Sequence, residues 1–113
     1  MRKLLASVLV LAALGIVASQ AFAATSRSVK IGDNYFVAKG KVRTVVVKKG
    51  TRVRWHDTGA LHNVVVTRGP VKFRSNGYLH HGDTFSKRVK RAGTYRIVCT
   101  IHSGMRMTLK VTR

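Results

Sequence analysis

A chain of 113 residues with 22 Lys and Arg against 3 acids, a net charge of +19, has room for one domain with a strongly cationic surface. Its single cysteine excludes an internal disulfide and any Cys-x-x-Cys zinc or redox motif. Glu is absent and Asp33, Asp57 and Asp83 are the only acids, which disfavours hydrolysis by paired carboxylates, while a hydrophobic share of 45% is too high for a disordered basic tail.

Arg2 and Lys3 precede an apolar run from Leu4 to Val17, broken only by Ser7, and Ala21-Phe22-Ala23 follows. A positive start, a moderate apolar stretch and an Ala-x-Ala site form a secretory leader over residues 1–23, with cleavage expected after Ala23. The run is short for a membrane span, which needs about 20 apolar residues, so an uncleaved anchor is the lesser alternative. No Cys follows it to take a lipid. The exported domain is then Ala24–Arg113, 90 residues, and loss of Arg2 and Lys3 leaves +17. A domain of that size buries roughly two-thirds of its unfolded surface. Lacking a disulfide, it would benefit from a bound metal.

Ala24–Ser28 reads as a loose tail. Strands are expected at Val29–Ile31, Tyr35–Val37 and the valine-rich Val42–Lys48. After the Lys49-Gly50 turn, Thr51–Trp55 alternates Val53 and Trp55 with Arg52 and Arg54. Leu61–Thr67 and a short piece at Val71–Arg74 follow, separated by Arg68-Gly69-Pro70. Thr84–Val89, Thr94–Cys99 and Met107–Val111 alternate in the same way, and no helical period of ten residues occurs after the leader. Short strands at regular spacing with turn signals between them predict one all-β domain, a sandwich or a barrel.

The chemistry concentrates in Cys99-Thr100-Ile101-His102-Ser103-Gly104-Met105-Arg106-Met107, at the junction of the last two strands. His62 lies far upstream, in Leu61-His62-Asn63-Val64. Singly, a buried Cys, a core His and two core methionines would be ordinary. Together they leave a free thiol in an oxidising compartment with an imidazole three residues away, which needs a reason. Two His, one Cys and a weak axial Met are the donors of a type 1 copper site. His56, and the His80-His81 pair in a turn beside Gly77 and Gly82, read as solvated.

Val53-Arg54-Trp55, His62-Asn63-Val64, Gly82-Asp83-Thr84-Phe85-Ser86, Ala92-Gly93-Thr94-Tyr95 and the Cys99-to-Met loop occur in one order along Val29–Val111. In this the chain resembles the cupredoxins, the small blue copper proteins, most nearly the amicyanin, pseudoazurin and plastocyanin branch. The resemblance implies a Greek-key β-sandwich with one copper near one end. It implies His62, Cys99 and His102 as strong ligands and Asn63 as a link between the two ligand loops. It also implies His102 as the more exposed ligand, where the electron leaves. The axial ligand is Met105 in an amicyanin-like loop and Met107 in a pseudoazurin-like one. Strand periodicity favours Met105, because Leu109 and Val111 then follow at the apolar spacing. Ile101 and His81 stand where many members have Pro.

The expected function is that of a periplasmic or extracellular monomer that shuttles single electrons between partners and is not itself an enzyme. Two alternatives stand beside it: a copper carrier or buffer, and a metal-free basic sandwich that binds polyanions. The cationic surface predicts an acidic redox protein, anionic lipid headgroups or an acidic cell-wall polymer as partner. Export argues against nucleic acid, and the aromatics are not spaced for stacking on bases.

Overall fold

The structure is a computed structural model that describes residues 25–113. The expected leader, residues 1–23, and its cleavage site lie outside the described residues. Eight strands form two four-stranded sheets. In chain order they are β1 (Ser26–Gly32), β2 (Tyr35–Phe36), β3 (Arg43–Lys48), β4 (Arg52–Asp57), β5 (Val65–Arg68), β6 (Thr84–Arg88), β7 (Gly93–Val98) and β8 (Arg106–Thr112). One sheet has the order β2-β1-β4-β6 and the other β3-β8-β7-β5. Every connection from β2 to β7 switches sheets, which gives the expected sandwich. Among the described residues, no helix is long and apolar enough to cross a membrane.

Alternation decides which face goes in. On β4, Val53, Trp55 and Asp57 are buried while Arg52, Arg54 and His56 are exposed. On β8, Met107, Leu109 and Val111 are buried and Arg106 and Lys110 are exposed. Trp55 is the centre of the core, fully buried and stacked on Phe85 at 5.6 Å between ring centroids. Its Nε1–H donates to Met107 Sδ at 3.4 Å, tying the two sheets together. At the far end the Tyr95 hydroxyl donates to the Arg91 carbonyl at 2.7 Å. Burial raises the pKa of that hydroxyl, while the Arg91 cation pulls it down.

Parallel pairing of β1 with β4 and of β3 with β8 gives the sandwich a direction. The β1–β2 turn, the end of β4, the starts of β5 and β6, and the β7–β8 loop lie at one end. The β3–β4 turn, the β6–β7 turn and both chain termini of the folded unit lie at the other.

Three sequence expectations need correction. Of the expected loose tail Ala24–Ser28, Ala24 lies outside the described residues, and Ser26–Ser28 are strand, paired in register with Arg52–Arg54. The side chains of Ser26–Ser28 are all exposed, so this part of the strand carries no hydrophobic alternation. The strand expected at Leu61–Thr67 begins only at Val65, and His62 instead makes an isolated bridge to Leu79. Val71–Arg74 is not a strand; only Arg74 pairs, as a lone bridge to Val65.

Trp55→Ala removes the largest buried side chain and the donor to Met107, and is expected to destabilise the metal-free protein by about 3–5 kcal/mol. Because Trp55 is the sole tryptophan, the loss is measured by circular dichroism during denaturant unfolding rather than by fluorescence.

Candidate metal centre

The site starts from the register of β4. Asp57 takes the inward position after Val53 and Trp55, so its carboxylate is fully buried in an apolar layer. An anion there needs partners. It finds two: the backbone N–H of Gly59 at 2.9 Å and Nδ1 of His62, 3.0 Å from both carboxylate oxygens. The Thr58–Leu61 loop brings His62 back over the strand end. Its backbone is then held by reciprocal bonds with Leu79, His62 N to Leu79 O at 3.0 Å and Leu79 N to His62 O at 2.7 Å. Gly59 permits the close turn, since a Cβ there would lie 2.4 Å from Asp33 Oδ1 and 3.0 Å from His62 Cε1.

Facing a carboxylate, Nδ1 of a neutral imidazole is the donor, which leaves the lone pair on Nε2. That Nε2 is buried and has no hydrogen-bond partner among the described residues. An unmade bond at a buried polar atom costs about 1–3 kcal/mol. A metal ion removes the cost, and a carboxylate–histidine pair is the usual way a protein orients an imidazole ligand.

Cys99, His102 and Met105 come from the other sheet. Cys99 is the first residue past β7 and is buried. Its Sγ lies 3.5 Å from His102 Nδ1. The His62 and His102 rings are 4.8 Å apart between centroids. Two backbone bonds tighten the loop, from Cys99 N to Met105 O at 3.0 Å and from Met105 N to His102 O at 3.2 Å. Gly104 supplies the left-handed turn that closes it, with φ +77°. Met105 is buried and His102 is partly exposed.

Asn63 joins the two halves. Its Nδ2 donates to Thr100 Oγ1 at 2.7 Å, and its Oδ1 accepts from Thr100 N at 2.8 Å. His62 and Cys99, neighbours of the clamped residues, are thereby held against each other across 37 positions of sequence. The two methionines differ in place: Met105 sits inside the Cys99–His102 loop, while Met107 sits on β8 with its sulfur accepting from Trp55.

The donors are thus gathered, as a soft mixed set. Among the described residues, no three His, Cys, Asp or Glu side chains form a tight preformed cage, here or elsewhere. His56, His80 and His81 are exposed. They bond separately to Thr84 Oγ1, Asp83 and Thr58 O. Asp57 and Gly59 escaped the sequence reading. The available signal was an acid on the inward register of β4, five residues before His62.

A family model described as copper binding proteins of the plastocyanin/azurin family matches residues 25–112. Among solved structures, a reduced amicyanin variant shares 27% identity at a TM-score of 0.64, covering 76% of this chain and 81% of that one. A Cu(I) form of another amicyanin variant shares 26% identity at a TM-score of 0.65, covering 79% and 84%. The copper-containing nitrite reductase of Thermus scotoductus SA-01 shares 23% identity at a TM-score of 0.66. That match covers 76% of this chain but spans only 22% of the reductase, a likeness of fold alone. No curated protein matches.

Asn63→Ala removes both bonds to Thr100 and is expected to cost about 1–3 kcal/mol of stability. Hydrogen exchange at the Thr100 amide should accelerate in parallel, while amides in the β3–β4 turn at the opposite end keep their protection.

Proposed function

The chain belongs to the plastocyanin/azurin family of copper-binding proteins, and on that premise we propose that it is an exported one-electron carrier built on one type 1 copper. The observation that supports this best is the buried, unpartnered Nε2 of His62 beside the Cys99–His102 pair. His62, Cys99 and His102 would hold the metal strongly. Met105 would be the weak axial ligand, with Met107 as the alternative. Copper supplies one-electron chemistry, cycling between Cu(I) and Cu(II).

The residues around the donors do the rest. Asp57 orients the His62 ring and places a buried negative charge behind it, which favours the more highly charged oxidation state. The Asn63–Thr100 clamp and the two backbone bonds of the Cys99 loop limit how far the ligands can move. His102 is the donor with a solvent-facing edge, and the exposed side chains of Leu61 and Ile101 lie on the loops that carry His62 and His102. An electron crosses to a docked redox partner there.

Four protein donors leave no open coordination position for a substrate, so the domain is a carrier and not an enzyme. Storage or delivery of copper without electron transfer fits less well. Exchange of the ion favours an exposed, methionine-rich site, whereas Cys99, His62 and Met105 are buried and the whole chain has three methionines. The leader supports a periplasmic or extracellular location, and the carrier acts as a monomer.

One equivalent of Cu(II) added to residues 24–113 is expected to give an intense blue thiolate-to-copper band, bleached by ascorbate and restored by an oxidant. Cys99→Ser should abolish the band; if colour survives in that variant, the proposed thiolate ligand is wrong. For the axial position, Met105→Leu should shift the reduction potential. Met107→Leu should leave the potential nearly unchanged and cost about 1 kcal/mol in the core.

A further inference from the structure

The three acids are all at the metal end, and each is occupied locally. Asp57 holds His62, Asp83 lies 3.5 Å from His80, and Asp33 accepts from the Ala60 amide. Among the described residues no Lys or Arg is in a salt bridge. The excess positive charge is therefore unneutralised, and it is densest where the acids are absent.

That place is the pole opposite the metal. The β3–β4 turn presents Lys48 and Lys49, and the β6–β7 turn presents Lys90 and Arg91, all exposed. Arg52 and Arg88 pair across β4 and β6 at the same level, and Arg88 Nη1 caps the Gly50 carbonyl at 2.7 Å. Backbone bonds from Gly50 N to Val89 O and from Lys49 N to Thr112 O, each 2.7 Å, lock these turns into one surface. Beside it opens a cleft of about 390 Å³ with Val71, Phe73 and Tyr95 on its walls and Lys87, Lys90 and Arg91 at its rim.

An acidic redox protein does not explain this pole. The six residues of β4 span roughly 20 Å, so a partner bound here would sit a full strand length from the donors, and tunnelling falls exponentially with distance. Nucleic acid lacks exposed aromatics to stack on at this end. A polymer of phosphates would match the cations but would leave the apolar cleft unused. Phosphate beside hydrocarbon matches both. The chain also enters the fold at this pole, where Thr25 O accepts from Arg52 N at 2.8 Å.

We infer that the pole formed by Lys48, Lys49, Arg52, Arg88, Lys90 and Arg91 docks the protein on an anionic phospholipid bilayer, with the metal end facing away from it. Electrostatic attachment at a membrane surface gains roughly fivefold in affinity for each Lys or Arg near the headgroups. The orientation keeps the partly exposed His102 free for a partner while the protein moves in two dimensions.

The test is co-sedimentation of the copper-loaded 24–113 chain, whose sheets are complete without the leader, with phosphatidylglycerol–phosphatidylcholine vesicles. Pure phosphatidylcholine vesicles are the neutral arm, and soluble polyphosphate is a competitor. Replacing Lys48, Lys49, Lys90 and Arg91 by Ser should weaken binding by about two to three orders of magnitude at low salt. Replacing Lys39, Lys41, Arg43 and Arg106 by Ser removes the same charge at the metal end and should weaken it less than tenfold. Both variants are checked for the blue band, so that loss of fold is separated from loss of docking. Equal weakening by the two variants would overturn the assignment, since diffuse charge would then explain the attraction. So would binding to neutral vesicles at the same strength, or polyphosphate binding as tight as the bilayer.

Discussion

A buried imidazole has two nitrogens to satisfy, and here the fold satisfies one. The Asp57 carboxylate takes the N–H of His62, and the other nitrogen is left with its lone pair in an apolar surrounding. Much of the metal end follows from that arrangement. Asp57 must be on the inward face of β4, Gly59 must be small enough to let the loop fold over it, and Leu79 must hold the His62 backbone. Buried polar groups left half-satisfied are costly in a domain whose net stability is on the order of 5–15 kcal/mol. The strain is confined to the place where a metal relieves it.

The same acid that orients His62 is lost to the surface. With three carboxylates in the chain and all of them engaged at one end, the remainder of the sandwich has no internal counter-charge. Self-repulsion on this scale lowers the stability of the compact state and raises attraction to anionic surfaces. The core offsets part of it: Trp55 stacks on Phe85 with Phe73 tilted against both, and Trp55 bonds to Met107 across the sheets. The gathered donors and the densest charge are thus separated along the strand axis, and on the proposed reading one pole serves electron exchange and the other attachment.

Residues close in sequence were readable. Cys99, His102, Met105 and Met107 lie within nine residues, so their donor types, with His62 upstream, suggest a shared metal, and the alternation on β4, β7 and β8 predicts which side chains face inward. Other features left weaker traces. The first turn of β1 pairs through its backbone while its side chains face solvent, so it looked like a tail. Val71–Arg74 has strand-forming residues but only isolated bridges, because the chain here returns toward the metal end along β5 and not as a full ladder. The start of β5 was displaced because His62 and Asn63 are held by bonds to Leu79 and Thr100 that no local pattern reveals.

The sequence by itself determined the all-β class, the donor types and the excess of positive charge, because period-two alternation, residue chemistry and charge counts are local or additive properties. Only the tertiary structure decided that Asp57 stands behind His62, that Asn63 clamps Thr100, and that Met107 is committed to Trp55. It also decided that the β3–β4 and β6–β7 turns merge into one cationic pole. Each of these depends on strands distant in sequence meeting in a particular register, and register is set by how the two sheets bury their inner faces together.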